Sequence, residues 1–287
     1  MIIKFWGTRG SVPVPGKETL KYGGNTPCVE IRTDKNEIII LDCGTGIREL
    51  GNQLVNNPGD EDITILMSHY HWDHIQGLPF FKPLFDKSKN ITLYGLSEKG
   101  EGIKSLLNKQ MTPVNFPITM DDFKANIKFE EIEANKKYTI KGIDVETFRT
   151  THSAPTLSFK ITSGEKSFVY MTDNEINLDS KRMDEDEGNF EIRNKEVIDF
   201  CSGSDYLIHD TMYEEESVID KKGWGHSSNL SLAKFGVIAG IKHLVLFHYN
   251  PDYSDDKIDK LLEDTKKALE NSGIECTAAK EGLELVL

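Results

Sequence analysis

Ser68-His69-Tyr70-His71-Trp72-Asp73-His74 is the stretch from which the rest of this 287-residue chain is read. It holds three imidazoles and one carboxylate within six residues and directly follows the apolar run Ile63-Thr64-Ile65-Leu66-Met67, which reads as a buried strand. His69 and His71 are two apart, so in an extended backbone both point to one side and can grip one metal ion. Asp73 and His74 come where the chain should turn, and they can reach a second ion beside the first. Neutral imidazole nitrogen and carboxylate oxygen are donors that zinc and similar borderline ions accept.

This His-x-His-x-Asp-His pattern after an apolar strand resembles the metallo-β-lactamase superfamily. The resemblance implies an α/β fold, a four-layer αββα sandwich with a metal site at one edge of its two sheets, here as a single domain over residues 1–287. It also implies three further ligands at later strand ends, and residues of ligand type stand at such places. His152 follows the strand 144–149, Asp173 ends the strand 167–172, and His248 ends Leu244-Val245-Leu246-Phe247. The expected set is His69, His71 and His152 on one ion and Asp73, His74 and His248 on the other. Asp173 is expected as the bridge, offering one oxygen to each ion. Zinc, manganese and iron all accept these donors, so two ions of one of these kinds are the expected cofactor. Asp42, in the turn Asp42-Cys43-Gly44, is expected as a structural hydrogen-bond acceptor near the site.

Three later segments look like the tRNase Z and cyclic-nucleotide phosphodiesterase branch of the superfamily: Asp210-Thr211-Met212-Tyr213, Gly225-His226-Ser227-Ser228 and Phe247-His248-Tyr249-Asn250-Pro251-Asp252-Tyr253. The resemblance implies that Asp210 and His226 work together as a proton relay, with Asp210 one methylene shorter than the branch's usual Glu. Gly7-Thr8-Arg9-Gly10-Ser11 and Gly23-Gly24-Asn25-Thr26 look like segments of bacterial relatives, and they make Arg9 and Asn25 candidates for substrate contact. The function implied is that of a dinuclear metal-dependent phosphodiesterase. It would hydrolyse a small phosphodiester, a cyclic nucleotide by preference, through a metal-bridging hydroxide, with Asp73, His226 and Asp210 as the catalytic residues. The alternatives are a tRNA 3′-processing endoribonuclease, a lactone or thioester hydrolase of the same fold, and a non-catalytic metal-holding accessory protein. The site as read contains no cysteine, whereas β-lactam hydrolases place one on the second zinc.

Composition bounds the partners. Hydrophobic residues make up 38% and charged residues 28%, as in a soluble globular protein, and the formal net charge is -13. A surface so acidic is ill-suited to wrapping a large nucleic acid, which needs a basic face. A small anionic substrate is still admitted, because two adjacent dications override the global charge locally. A homodimer is expected from the resemblance. Cys28, Cys43, Cys201 and Cys276 have no CxxC spacing and read as reduced thiols, mostly buried. Met1-Ile2-Ile3-Lys4-Phe5-Trp6 lacks a signal-peptide layout, and no apolar run approaches the ~18 residues of a membrane span, so a cytoplasmic protein is expected.

The helix 46–55 should turn Ile47, Leu50 and Leu54 inward, with Asn56-Asn57-Pro58-Gly59-Asp60 ending it. A helix over 229–240 should bury Leu230, Ala233, Val237 and Ile238, and the last helix, 254–273, should bury Ile258, Leu261, Leu262, Thr265 and Leu269. The proline-punctuated stretch 111–117 reads as either a lid or a buttress on the core. The polar segment 174–200, with Asp184-Glu185-Asp186-Glu187-Gly188 inside it, reads as a solvated or dimer-facing excursion.

Overall fold

The structure is a computed structural model and describes residues 1–55, 62–176 and 187–287. The chain forms two compact units, residues 1–133 with 280–286 and residues 134–279 with 287. The foreseen end of the first helix, at 56–60, lies outside the described residues, as do Asp184, Glu185 and Asp186.

The first unit is built on a seven-stranded mixed sheet in the order β14-β1-β2-β3-β4-β5-β6. These strands are β1 (Ile2–Gly7), β2 (Cys28–Arg32), β3 (Ile38–Leu41), β4 (Asp62–Leu66), β5 (Asn90–Gly95), β6 (Asn126–Glu131) and β14 (Glu284–Val286). From β3 to β6 neighbours run parallel, while β1, β2 and β14 pair antiparallel. Ile38-Ile39-Ile40-Leu41 is buried throughout, as a central strand covered on both faces must be. β1 instead alternates buried and more exposed residues, as a strand near an edge does. Helix α1 (Ile47–Leu54) buries Ile47, Leu50 and Leu54, in line with the helical spacing. Met111 is wholly buried in the same core, and Phe116 packs against it partly exposed. Residue 111 is therefore a buttress on the core.

The second unit carries a seven-stranded sheet in the order β13-β12-β11-β10-β9-β8-β7. Its strands are β7 (Lys137–Ile140), β8 (Ile143–Arg149), β9 (Leu157–Ser163), β10 (Lys166–Met171), β11 (Tyr206–Asp210), β12 (His243–Phe247) and β13 (Glu275–Ala278). β7 to β10 form an antiparallel meander; β10, β11, β12 and β13 are parallel neighbours. Two helices, Glu187–Arg193 and Lys195–Cys201, occupy ground read from sequence as solvated loop. Phe190, Ile198 and Cys201 are buried there. Their apolar spacing is hidden among charges, which dominate the composition of that stretch.

The helix Asn229–Ala239 begins at Ser228, whose hydroxyl accepts from the Ser231 amide at 3.2 Å, and ends at Gly240 with φ 65. Its buried face differs from the expected one. Leu232, Ala233, Phe235, Gly236 and Ala239 point inward, whereas Leu230 and Val237 are exposed. The helix is apolar nearly all round, so packing chooses the face where the pattern could not. The helix Asp255–Ala268 buries Ile258, Leu261 and Thr265, with Asp255 and Asp256 in its first turn and Lys266 and Lys267 in its last, each charge placed favourably for the helix dipole. All four cysteines are buried thiols, and burial raises the pKa of each, so none is a reactive thiolate. Among the described residues, no helix is long and apolar enough to cross a membrane.

Candidate functional site

In the first unit the chemistry-bearing residues leave the C-terminal ends of the parallel strands β3 and β4. His69, His71 and His74 crowd together, with ring centroids 4.6 Å apart for His69 and His71 and 4.3 Å for His69 and His74. The short helix α2 (Trp72–Ile75) turns Asp73 and His74 inward, with His74 Nε2 3.4 Å from Asp73 Oδ2. Asp42, wholly buried, organises this group, as expected of a structural acceptor. Its Oδ1 accepts from the Ser68 amide at 2.7 Å, and its Oδ2 accepts from the Ser68 hydroxyl at 2.8 Å and faces His74 Nδ1 at 2.9 Å.

Hydrogen-bond counting then assigns the tautomers. Ser68 gives its one proton to Asp42, so it must accept from His69 Nδ1–H, 3.0 Å away. His74 likewise spends Nδ1–H on Asp42. In the neutral form of both rings Nε2 is then the lone-pair nitrogen, the form in which imidazole binds a metal. Asp73 is held by the Ser11 amide, which donates to its Oδ2 at 2.7 Å.

In the second unit the parallel strands β10, β11 and β12 deliver Asp173, Asp210 and His248 at one end of the sheet, and β8 leads to His152. Each oxygen of Asp173 faces a different imidazole: Oδ2 lies 3.5 Å from His152 Nε2 and Oδ1 lies 3.2 Å from His248 Nε2. Asp42, Asp173 and His248 all stand just past a strand end with left-handed backbone, at φ 60, 51 and 57. Asp and His tolerate that region better than most residues with a Cβ, though still at some conformational cost.

The shorter side chain of Asp210 reaches its expected partner: Oδ2 is 3.1 Å from His226 Nδ1. Three backbone amides, those of Asn174, Met212 and Ser227, also donate to Asp210 at 3.0, 3.1 and 3.2 Å. Burial raises the Asp210 pKa, but His226, His209 and His248 outweigh it, and the carboxyl stays below its ordinary value. It is therefore an anion that can hold His226 Nδ1–H and orient the ring. The His226 ring stacks on His248 at 5.4 Å, and ligand atoms of Asp173, His226 and His248 lie within 4.8 Å of one another. His209 is a packed structural residue, with Nδ1 facing Asp210 O at 2.8 Å, and burial lowers its pKa.

Sequence reading missed Glu175. Its Oε2 accepts from the amides of Gly223 and Gly225 at 2.7 and 3.0 Å. The Gly225 carbonyl in turn faces His152 Nδ1 at 3.1 Å, and since a carbonyl only accepts, His152 carries its proton on Nδ1 as well. A carboxylate whose partners are backbone amides about 50 positions away leaves no local signal. Gly225 has φ +83, and a Cβ there would stand 2.1 Å from His152 Nδ1. Gly225→Ala is expected to displace that ring and lower turnover by about 10²-fold, the scale of an ångström-sized misplacement. Gly223→Ala is the control: it shares the positive φ, but its Cβ meets nothing within 4 Å. Equal losses in the two variants would reduce the effect to backbone strain.

Arg9 and Asn25 are placed otherwise than their expected role suggests. Arg9 is wholly buried, and its Nε donates to Gly23 O at 2.9 Å. Asn25 is clasped by Glu281, whose oxygens accept from its amide nitrogen at 2.7 Å and its side-chain Nδ2 at 3.1 Å. Both brace the glycine loops, one of which delivers the Ser11 amide to Asp73. Burial of this kind is not legible in a loop sequence.

Residues 37–249 match the Beta-lactamase superfamily domain. The chain belongs to the metallo-β-lactamase superfamily. Two mixed sheets with flanking helices match the superfamily's α/β fold. Among superfamily relatives, a protein named ribonuclease Z from Picrophilus torridus is 26% identical over 94% of this chain and 92% of its own length. The metallo-β-lactamase fold protein YhfI from Bacillus subtilis superposes with a TM-score of 0.69 at 18% identity, over 99% of each chain. A diphosphatase of the PhnP family superposes with a TM-score of 0.67 at 16% identity, over 100% of this chain and 97% of that one. As a member of the superfamily with a full-length relative named as a nuclease, the chain is a metal-dependent hydrolase.

Proposed function

We propose that this hydrolase is a dinuclear phosphodiesterase acting on a small phosphodiester, a cyclic nucleotide by preference. The donor chemistry fits a pair of borderline dications. His69, His74 and His152 each commit Nδ1 to an oxygen and so keep Nε2 for a metal, and Asp173 turns one oxygen to each of two imidazoles. On this reading His69, His71 and His152 would hold one ion, Asp73, His74 and His248 the other, and Asp173 would serve both, with zinc, manganese or iron all suited to the donors. Bound there, the pair would lower the pKa of the attacking water and take up charge developing on the phosphoryl oxygens.

The chain's own residues supply the rest. Asp210 holds Nδ1–H of His226, which leaves Nε2 to carry a proton to the departing alkoxide. The observation that carries the diester reading is this pair, His226 Nδ1 3.1 Å from the wholly buried carboxylate of Asp210, with the partly exposed ring packed against Asp173 and His248. A thioester has less need of such a donor, because a thiolate departs without a proton. The charge of -13 favours a small substrate. Arg9 and Asn25 would act on substrate through the loops they brace. The same reading has the protein working in the cytoplasm as a homodimer.

A second reading, RNA 3′-end processing, is favoured by the relatives named ribonuclease Z. One panel separates the possibilities. Protein of measured metal content is offered bis-p-nitrophenyl phosphate, 2′,3′- and 3′,5′-cyclic nucleotides, precursor tRNA, a β-lactam and a thioester. Turnover of the diesters and a cyclic nucleotide, with the β-lactam and thioester untouched, is the expected result. Precursor tRNA as the preferred substrate would establish the second reading. Tight metal binding with no turnover of any compound would make this an accessory protein.

A further inference from the structure

The metal motif contains a residue that the chemistry above leaves unused. Asp73 and His74 are buried on the inner side of α2, while Trp72, between His71 and Asp73, is 68% exposed. Trp72 shares its surroundings with exposed Phe80 and Val114, and a contiguous exposed apolar patch marks a binding surface. Gln76 lies four positions on, on the same face of the turn as Trp72. Both line a groove of about 910 Å³ together with Phe80, Gln110, Asn115 and Phe116. That volume is in the range of small-ligand sites.

The lining has two kinds of chemistry. One is aromatic: Trp72, and Phe80 set edge-to-face on Phe116 with centroids 5.5 Å apart. The other is amide. Gln110 is fixed by a bond from Nε2 to Ile75 O at 2.9 Å, and Gln76 by one from Nε2 to Thr26 Oγ1 at 3.3 Å. A held carboxamide presents an acceptor and an N–H together, the pair that a nucleobase edge requires. Flat π-faces beside paired donors and acceptors suit a heteroaromatic base better than a lipid chain, which has no use for the amides. In a nucleotide, base and phosphate are separated by a single sugar, so a base stacked on Trp72 would leave its phosphate near the residues that flank Trp72.

We infer that this groove is the subsite for the nucleoside part of the substrate, with Trp72 as its stacking platform. The inference rests on the diester reading and adds that the hydrolase selects esters carrying a base. Two esters with the same leaving group test it: thymidine 5′-p-nitrophenyl phosphate and methyl p-nitrophenyl phosphate. In Trp72→Ala the ratio of kcat/KM for the thymidine ester to that for the methyl ester is expected to fall about tenfold or more, and Trp72→Phe should restore most of it. A second readout needs no turnover. Adenosine 5′-monophosphate should quench the intrinsic fluorescence of the wild type, and this quench should vanish in Trp72→Phe, which retains Trp6 and Trp224. An unchanged ester ratio, or a quench that survives Trp72→Phe, would overturn the subsite. So would a shift from dimer to monomer in Trp72→Ala, because the groove would then be a contact between copies. Should no diester be hydrolysed while the Trp72-dependent quench persists, the diester reading falls and the base-binding groove stands.

Discussion

Asp173→Asn is expected to abolish turnover almost completely and to lower the metal content of the purified protein below that of the wild type. Asp173 is 2% exposed, and its two oxygens face separate imidazoles, His152 at 3.5 Å and His248 at 3.2 Å. Asparagine keeps the shape and accepts the left-handed backbone at φ 51, so the strand end should fold as before. It replaces one oxygen with an NH₂ group, which has no lone pair for a metal, and it removes the negative charge. The loss should exceed the roughly 10²–10⁴-fold that follows removal of a proton donor alone, because binding of the metals is itself impaired. Elemental analysis alongside steady-state rates checks this. Wild-type metal content together with wild-type activity would remove Asp173 from the site.

His226→Ala should show a different signature. Metal content should stay near that of the wild type, and the rate loss should depend on the leaving group. For diesters that expel an alkoxide, such as cyclic nucleotides, the expected fall is roughly 10²–10⁴-fold. For p-nitrophenyl esters it should be far smaller, because nitrophenolate leaves without a proton. Asp210→Asn should reproduce part of the effect, since an amide can turn its NH₂ towards His226 Nδ1 and favour the wrong tautomer. Equal losses on both ester classes would show His226 to be a packing residue, consistent with its stack on His248 but not with a relay.

How much could be read from the chain alone follows from what each feature demands. Imidazoles and carboxylates at strand ends were legible because few other side chains serve a metal, and β8, β10 and β12 do bring His152, Asp173 and His248 to one end of their sheet. Amphipathic α1 was legible for the same kind of reason, since its spacing allows one face. The helix Asn229–Ala239 was not, being apolar on nearly every side. The helices spanning 187–201 were obscured by charge. Arg9 shows the remaining gap. A guanidinium in a glycine loop suggests a substrate hand, and only the fold reveals that it is buried against Gly23 O. Ser68 and Glu175, which orient His69 and the 223–225 turn, act through a few long-range hydrogen bonds that no periodicity encodes.

Glu281 clasps Asn25, and β14 pairs with the outer edge of β1 as Ile2↔Val286 and Ile3↔Leu285. The opening strand of the first sheet therefore waits for residues that the ribosome adds after all the strands of the second sheet. Until they emerge, one flank of β1 stays without its neighbour and the loop at Asn25 without its clasp. The sheet begun first is thus finished only after the strands of the second, and its two glycine loops should settle only once residues 281–286 have emerged.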